Sequence, residues 1–189
     1  MKAKFLIVVD MQNDFVTGSL GSQEAQGIVS NVVKQIEKAR KDGWSIYATQ
    51  DTHYDDYLET REGKKLPVPH CVIGTEGWEL APAVADCLEK EPFMCYEKNT
   101  FGSVDLAEDI SNIIHTGDFD EPLCEIELIG LCTDICVVSN ALLLKAYLPE
   151  ANISVNASCC AGTTPEMHEA ALRVMRSCHI NVIEGEEES

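Results

Sequence analysis

The sequence predicts an α/β fold of three layers (α/β/α), in which a six-stranded, mostly parallel sheet lies between two layers of helices. Short apolar runs typical of buried strands alternate along the whole chain with longer segments whose apolar residues recur at helical spacing. The chain has 189 residues, 45% of them hydrophobic, which is enough for one full α/β domain and too few for two. We therefore predict a single domain over residues 1–189.

The first half of the chain contains three apolar runs with the length and composition of buried strands: Lys4–Val9, Trp44–Gln50 and Phe93–Tyr96. Between the first two, apolar residues recur at helical spacing over Ile28–Ala39, and Asp42-Gly43 predicts the end of that helix. A shorter helix is predicted over Glu79–Cys87. The segment Tyr54–Pro69 is polar and irregular, and we predict a long loop there.

The same alternation continues in the second half of the chain, where the predicted strands are Cys124–Ile129, Ile153–Asn156 and Ile180–Ile183. Helices are predicted over Leu106–Ile114, over Val137–Lys145, and from Pro165, because proline suits the first position of a helix. A loop is expected over Ala157–Gly162. The acidic tail Glu184–Ser189 shows no pattern that predicts a packed element.

The composition argues against several classes of partner. The formal net charge is -18, so the chain lacks the basic surface that nucleic acids and anionic membranes require. No apolar run reaches the length of a transmembrane helix, and Phe5–Val9 is too short for the core of a secretory signal. The nine cysteines, an odd number without a CxxC pair, predict reduced thiols in a cytoplasmic protein.

A candidate nucleophile, Cys136, lies in the stretch Gly130–Val138, between an alternating apolar strand and an Ala/Leu-rich helix. Thr133 is predicted to cap the amino end of that helix, which would place Cys136 in its first turn. There the free backbone N–H groups and the positive end of the helix dipole favour a thiolate, and a low thiol pKa makes a cysteine nucleophilic. The alternative is a buried structural cysteine at a tight turn.

Charged residues also follow two other predicted strands. Asp10 ends the first strand, at the position where open α/β sheets bind ligands, and Lys98 follows the third. Close to Cys136, a lysine would lower the pKa of the thiol and an aspartate could accept its proton. The alternatives are a carboxylate that caps a loop N–H group and an ordinary solvated lysine.

A candidate metal site follows the second strand. Asp51 and His53 are two residues apart on an extended segment, so their side chains point the same way. The long loop then returns to His70, and loops of that length in compact domains are usually functional. One Asp and two His suit zinc, iron or manganese. Glu62, which precedes the flexible Gly63, is a candidate fourth ligand; the alternatives are a solvated glutamate and hydrogen-bonded structural histidines.

Three motifs together carry a family resemblance: Val8–Phe15 (VVDMQNDF), Glu97–Phe101 (EKNTF) and Gly130–Val137 (GLCTDICV). In this order, at the ends of predicted strands, they resemble the motifs of the isochorismatase-like cysteine hydrolases, and within them of the nicotinamidase/pyrazinamidase branch. The resemblance spans nearly the whole chain. It implies an isochorismatase-like, Rossmann-like fold.

The resemblance implies a catalytic triad of Asp10, Lys98 and Cys136. It implies the hydrolysis of nicotinamide to nicotinate and ammonia through a thioester on Cys136, a reaction that feeds NAD salvage. It also implies a cis peptide bond between Leu131 and Cys132, with the backbone N–H groups of Cys132 and Cys136 forming the oxyanion hole.

In the nicotinamidase branch one divalent metal ion binds the ring nitrogen of the substrate and activates water. The implied ligands are Asp51, His53 and His70, with zinc as the expected metal and iron or manganese as alternatives. The chain departs from some members of the branch at two places. Asp55–Glu59 stands where those members have a further histidine, and Pro67 stands where they have a tryptophan that stacks on the pyridine ring.

The expected partner is a small carboxamide substrate, which Phe15 is predicted to contact, and a homo-oligomer is left open. Two alternative functions remain. One is another small-amide or isochorismatase-type hydrolase of the same superfamily, and the other is a catalytically silent binding subunit. Metal or thiol-redox sensing is disfavoured by the absence of a CxxC pair.

Overall fold

Six parallel strands form one sheet in the computed structural model, which describes residues 1–185. The strands are β1 (Lys4–Val9), β2 (Ser45–Asp51), β3 (Met94–Lys98), β4 (Glu125–Leu131), β5 (Asn152–Ala161) and β6 (Asn181–Ile183). Their order across the sheet is β3-β2-β1-β4-β5-β6, and every neighbouring pair is parallel. The predicted α/β fold is confirmed, and the sheet is wholly rather than mostly parallel over the described residues.

Helices cover both faces of the sheet: α1 (Asn13–Val16), α2 (Gln23–Lys41), α3 (Pro82–Leu88), α4 (Val104–Thr116), α5 (Val138–Tyr147) and α6 (Pro165–Ser177). Helices α1–α3 pack on one face, and α4–α6 pack on the other. Single turns lie at Tyr57–Glu59, Glu121–Leu123 and Thr133–Val137. Within residues 1–185, no helix is both long enough and apolar enough to cross a bilayer.

The central strand β1 is buried on both faces, as its continuous apolar run predicted. Phe5, Ile7 and Val9 belong to the core beneath α4–α6, whereas Leu6 and Val8 belong to the core beneath α1–α3. Alternate residues of a strand point to opposite faces, so this one strand contributes to both cores. Full burial stabilises the fold by about 1.5–3 kcal/mol for each large apolar side chain.

Hydroxyl side chains cap the three longest helices. Ser22 caps α2, Ser103 caps α4 and Thr164 caps α6, and each accepts a hydrogen bond from the N–H three residues later at 3.0–3.2 Å. Such a cap typically stabilises a helix by about 1 kcal/mol. Helix α2 ends where predicted, at Asp42, and Gly43 follows it with a φ of 75° that favours glycine.

The predicted loop over Ala157–Gly162 is wrong, because β5 continues as a strand to Ala161. The pairing of β5 with β4 shifts in register between Leu128 and Gly130, and the two strands then pair again as far as Leu131. The residues of β5 between Val155 and Cys160 accommodate this irregularity. A change of register arises from the partner strand, so the local sequence of β5 carries no pattern for it.

Two smaller differences concern α3 and the tail. Helix α3 begins at Pro82 instead of Glu79, because Leu80 forms an antiparallel bridge with Gln12 before the helix starts. In the predicted acidic tail, residues 186–189 lie outside the described residues.

The carboxyl ends of β1, β2, β3 and β4 meet at one edge of the sheet. Strand β1 lies between β2 and β4, so the order of the strands reverses beside it, and open α/β sheets bind ligands at such a point. Asp10 directly follows β1, and Asp51 at the end of β2 pairs with Lys98 at the end of β3. The charged residues at the ends of these separate strands, Asp10, Asp51 and Lys98, therefore lie next to one another at this edge of the sheet.

Gly130 allows β4 to approach β1 closely at this edge. Its φ of 118° is rarely adopted by residues with a side chain, and a Cβ at this position would lie 2.1 Å from the carbonyl oxygen of Val9. Both atoms belong to strand backbones in the centre of the sheet, so neither can move aside cheaply.

We expect Gly130→Ala to lower the free energy of unfolding by more than about 2 kcal/mol, because the added methyl group overlaps the β1 backbone. Urea unfolding followed by circular dichroism would measure this change. The control is Gly27→Ala in α2, where a Cβ has no atom within 4 Å, and alanine there should stabilise the helix by up to about 1 kcal/mol. Similar effects for the two variants would contradict the close approach of the strands.

Candidate active site

Cys136 lies in a single π-helical turn, Thr133–Val137, that joins β4 to α5. The predicted N-cap at Thr133 is wrong, because this side chain makes no capping hydrogen bond. Its hydroxyl oxygen lies 2.8 Å from Nδ1 of His168 in α6 instead. Cys136 therefore precedes α5 and does not lie in its first α-helical turn.

The backbone before this turn has the predicted geometry. The Leu131–Cys132 peptide bond is cis, as the family resemblance implied. Within residues 1–185 the N–H of Cys132 has no hydrogen-bond acceptor. It is therefore free to donate to a substrate, and its role in an oxyanion hole, together with the N–H of Cys136, stays a prediction.

Asn140 holds the π-helical turn against the start of α4. Its Nδ2 donates to the carbonyl oxygen of Cys136 at 2.8 Å, and its Oδ1 accepts from the N–H of Ser103 at 2.9 Å. The side chain is buried, so these bonds are protected from water. Asn140 was not predicted from the sequence, although a polar residue one turn after Cys136 in an Ala/Leu-rich helix was the feature that could have indicated it.

The ammonium group of Lys98 lies between three functional side chains. Its Nζ is 2.7 Å from Oδ2 of Asp10, 3.3 Å from Oδ1 of Asp51 and 3.6 Å from Sγ of Cys136. All four residues are at most 6% exposed. The structure thus brings together the three residues of the predicted triad and adds Asp51, which the sequence analysis had assigned only to the metal site.

Thr49 orients the carboxylate of Asp10. The Thr49 hydroxyl donates to Oδ1 of Asp10 at 2.6 Å, and the N–H of Asp10 donates to the Thr49 carbonyl at 3.1 Å. Since Lys98 approaches the other oxygen, Asp10 has one bonded and one ion-paired oxygen. The backbone of Asp10 is left-handed, with a φ of 47°, which is uncommon for a residue other than glycine. The sequence analysis did not identify Thr49.

Burial controls the ionisation of Cys136 and Asp10. Burial raises the pKa of the Cys136 thiol well above its usual range, and the charge of Asp10 raises it further, whereas Lys98 opposes both. Burial likewise raises the pKa of Asp10 against the effect of Lys98, which makes the carboxylate a stronger base. The predicted low thiol pKa is therefore wrong, because burial and the charge of Asp10 together outweigh the effect of Lys98 on Cys136.

Gln12 fixes the backbone of Asp51. Its Nε2 donates to the carbonyl oxygens of Asp51 and Trp78 at 2.8 and 2.7 Å, and its Oε1 accepts from the N–H of Asp51 at 2.7 Å. The side chain is fully buried, and both of its polar atoms are bonded. The first motif of the sequence contains Gln12, yet nothing in the local pattern indicated that its partner would be β2.

Asp51, His53 and His70 converge as predicted, with ligand atoms within 4.8 Å of one another. Oδ2 of Asp51 lies 3.0 Å from Nε2 of His53 and 3.5 Å from Nε2 of His70. Nδ1 of His70 lies 2.9 Å from the carbonyl oxygen of Val68, which can only accept, so Nε2 of this ring keeps its lone pair.

The donor set fits a divalent metal ion. Over the described residues, the buried Nε2 of His53 has no well-formed hydrogen bond, although the Asp51 carboxylate is close. Two imidazole nitrogens and a carboxylate oxygen are ordinary ligands for zinc, iron or manganese. Burial raises the pKa of Asp51, but the nearby imidazoles of His53 and His70 and the charge of Lys98 outweigh it and hold this pKa below its usual value, so the carboxylate is ionised and able to bind a cation.

Glu62 also faces this site. Its Oε1 lies 3.9 Å from Nε2 of His53 and 3.8 Å from Nε2 of His70. Glu62 lies in a turn that is closed by a hydrogen bond of 2.9 Å from the N–H of Gly63 to the hydroxyl of Thr60. The carboxylate is thus near both imidazoles, and its role as a ligand stays a prediction.

The ring of Tyr57 packs against the imidazole rings of His53 and His70. Its ring centroid lies 4.7 Å from that of His53 and 5.0 Å from that of His70, and its hydroxyl donates to the Leu66 carbonyl at 2.9 Å. With 1% exposure, Tyr57 forms a small core within the long polar loop. The prediction of a loop here was based only on the polarity of the segment, whereas Tyr57 was the feature of the sequence that could have indicated a packed cluster within it.

A cavity of about 1060 Å³ joins the candidate triad to the candidate metal ligands. Cys136, Asp51, His70 and Glu62 all contribute to its lining. Phe15 lines it too, as predicted for a residue that contacts substrate, and its ring packs 5.5 Å from that of His70. One space therefore gives a ligand access to the thiol, to Asp51 and to His70.

Residues 4–187 match the isochorismatase domain family. The chain belongs to this family. One relative is Nicotinamidase 1 of Arabidopsis thaliana, which is 30% identical over 184 residues that cover 87% of this chain and 72% of the relative. The resemblance to the isochorismatase-like hydrolases of the nicotinamidase/pyrazinamidase branch is therefore confirmed.

Solved structures agree with this membership. The nicotinamidase/pyrazinamidase PncA of Bacillus subtilis superposes with a TM-score of 0.79 at 29% identity, covering 96% of this chain and 100% of that one. The pyrazinamidase of Pyrococcus horikoshii, solved in complex with zinc, gives a TM-score of 0.73 at 26% identity, covering 96% and 99%. The three-layer fold of the chain is thus that of nicotinamidases.

We expect Lys98→Met to slow the alkylation of Cys136 at neutral pH by at least about tenfold, because a loss of one pKa unit of thiolate stabilisation lowers the thiolate fraction tenfold. Site-resolved mass spectrometry after iodoacetamide labelling would distinguish Cys136 from the other cysteines. Lys90→Met is the control, since Lys90 is exposed and pairs only with Glu37.

The Lys98 experiment needs a test of folding, because the substitution leaves two buried carboxylates without their cation. Lys98→Arg keeps the charge and should retain more of the labelling rate. An unchanged rate and an unchanged pH midpoint in a folded Lys98→Met variant would show that Lys98 does not influence the thiol.

A ligand role for Glu62 predicts that Glu62→Ala loses metal more readily, by about 10–100-fold in affinity, since a carboxylate beside two imidazoles stabilises a cation. Metal content after mild chelation, measured by mass spectrometry of the elements, would show the loss. Glu59→Ala is the matched control, because Glu59 is an exposed glutamate of the same loop. Equal metal retention in the two variants would exclude Glu62 from the site.

Proposed function

We propose that this protein hydrolyses nicotinamide to nicotinate and ammonia through a thioester on Cys136. The observation that carries the proposal is the position of Lys98, which lies within 3.6 Å of Asp10 and of Cys136 and also contacts Asp51. A nucleophile, a base and a candidate metal ligand thereby share one buried cation. Membership of the isochorismatase family and the likeness to named nicotinamidases support the assignment.

The first half of the reaction forms the thioester. Asp10 accepts the proton of the Cys136 thiol, and the sulfur attacks the carbonyl carbon of the carboxamide. The N–H groups of Cys132 and Cys136 donate hydrogen bonds to the oxygen as it gains negative charge. Asp10 then returns its proton to the nitrogen, the carbon–nitrogen bond breaks, and ammonia leaves.

The second half of the reaction regenerates the thiol. A water molecule attacks the thioester carbonyl while Asp10 accepts one of its protons, and the same two N–H groups stabilise the oxyanion again. The carbon–sulfur bond breaks, the acid is released, and the proton returns to the sulfur. Lys98 stays protonated throughout, since the charge of Asp10 raises its pKa although burial opposes this.

Asp51, His53 and His70 would hold one divalent metal ion, with Glu62 beside them. The ion would supply a Lewis acid for the ring nitrogen of the substrate. Zinc is the metal that we propose, with iron or manganese as alternatives, because the donor set is two imidazoles and a carboxylate. The zinc in the Pyrococcus horikoshii pyrazinamidase supports this choice.

We also propose a cytoplasmic location and a role in NAD salvage. All nine cysteines are free thiols, which fits a reducing compartment. Another small-amide hydrolase activity is the second candidate, and the large cavity favours it over a catalytically silent subunit, because that cavity opens directly onto Cys136.

The test is ammonia release from nicotinamide, pyrazinamide and benzamide. Nicotinamide and pyrazinamide, which share a ring nitrogen, should turn over, and benzamide should be slower by about tenfold or more because it lacks that metal ligand. Cys136→Ala should lose at least about three orders of magnitude in rate. Cys132→Ala is the matched control and should be much milder, because the proposed role of Cys132 uses its backbone N–H.

Substantial turnover by Cys136→Ala would refute the thioester mechanism. Equal rates for nicotinamide and benzamide would remove the ring nitrogen from recognition and would favour the second candidate function.

A further inference from the structure

We propose that the cavity recognises an anionic group on its substrate through Arg61, Lys64 and Lys65. Besides nicotinamide, the substrates would then include carboxamides that also carry a carboxylate or a phosphate. The inference relies on the proposed amide hydrolysis for the reacting end of the molecule, and it concerns the opposite end.

The charge of the cavity lining is opposite in sign to that of the chain. The whole sequence has 14 Lys and Arg against 32 Asp and Glu. The cavity, in contrast, is lined by three cations, Arg61, Lys64 and Lys65, and by two carboxylates, Asp51 and Glu62. Both carboxylates face the candidate metal site, where a divalent ion would offset them. The remaining field in the cavity is positive and attracts anions.

The three cations have no anionic partner among residues 1–185. Within residues 1–185, none of them has a carboxylate oxygen within 4.0 Å of its charged nitrogens. The same loop also contains acidic residues, yet of these only Glu62 lines the cavity. The cations are therefore available to a ligand.

The backbone that carries the two lysines is ordered by local hydrogen bonds. The N–H of Lys64 donates to the Thr60 carbonyl at 3.2 Å, and the N–H of Lys65 donates to the Glu62 carbonyl at 2.8 Å. These bonds fix the backbone from which the two side chains extend. A site with an ordered backbone loses less entropy on binding than a mobile loop does.

The depth of the cavity separates the reacting end from the charged end. Cys136 is 4% exposed, whereas Arg61, Lys64 and Lys65 are all exposed. A substrate whose carboxamide reaches the sulfur would therefore have its far end in the more exposed part of the cavity, to which these cations belong. The volume of about 1060 Å³ lies at the upper end of the range for sites of drug-sized ligands, so a single-ring amide leaves space for a further substituent.

The residue types suit a carboxylate or a phosphate. The planar guanidinium of an arginine donates two parallel hydrogen bonds to either group, and lysines add compact positive charges. Both anions share this chemistry, so the experiment includes one of each.

The test uses three pyridine carboxamides with one variable substituent: the monoamide of pyridine-3,5-dicarboxylic acid, its methyl ester, and the corresponding phosphonate. Their binding to metal-loaded Cys136→Ala is measured by titration calorimetry, which needs no turnover. We expect both anionic compounds to bind at least about tenfold more tightly than the ester, because charge-assisted hydrogen bonds are strong. Raising the salt from about 50 to about 500 mM should narrow this difference.

The variant Arg61→Gln/Lys64→Gln/Lys65→Gln, made in the Cys136→Ala background, should remove the preference for the anions and leave the ester affinity unchanged. Its matched control is Lys34→Gln/Lys41→Gln/Arg173→Gln, which removes the same residue types from exposed positions outside the cavity. This control changes the net charge of the protein by the same amount but leaves the cavity lining intact, so it should keep the full preference for the anions.

Equal binding of the acid and its ester would overturn the inference, and so would binding of neither. An equal loss of preference in both triple variants would also overturn it, because it would show a general charge effect. Failure of the wild type to release ammonia from nicotinamide and from these amides would refute the proposed function alone. The anion preference in Cys136→Ala is measured without that reaction and would still stand.

Discussion

The buried ammonium group of Lys98 is the interaction on which the candidate site depends. It lies within 3.6 Å of atoms of Asp10, Asp51 and Cys136, and burying two carboxylates there without a cation would be strongly destabilising. One cation serves both carboxylates, so the cluster keeps an excess negative charge that a divalent ion beside Asp51 would offset. The proton-transfer pair and the candidate metal ligands therefore form one electrostatic unit, in which a change at either place alters the ionisation of the other.

The parallel sheet explains how residues so far apart in the chain form this unit. Asp10, Asp51 and Lys98 end three adjacent strands, and Cys136 follows the strand on the other side of β1. Because the strands are parallel, their carboxyl ends lie at the same edge of the sheet, and the side chains that follow them lie close together there. Their final orientation depends on buried hydrogen bonds, such as the one that the Thr49 hydroxyl donates to Asp10. Loss of such a bond would leave a buried polar group without a partner, which is costly because no water reaches it.

Reaction and recognition come from different parts of the structure. The nucleophile and its base follow strands that are held by two packed cores, whereas several groups that would meet the metal or the substrate, such as Glu62 and Arg61, come from the irregular loop between His53 and His70. That loop has a small core of its own around Tyr57. Loops tolerate change without disturbing the sheet, so one reaction centre can serve different amides when the loop changes its charge or shape.

The sequence by itself determined the layers, the strand-end positions of Asp10 and Lys98, and the motif that contains Cys136, because periodicity and short motifs are local properties. Only the tertiary structure decided that Thr133 bonds His168, 35 residues away, instead of capping a helix. The same holds for Asn140 and its bond to the turn, which needs α4 in place. It also decided that burial raises the pKa of the Cys136 thiol, since desolvation depends on everything packed around a group and on no local pattern.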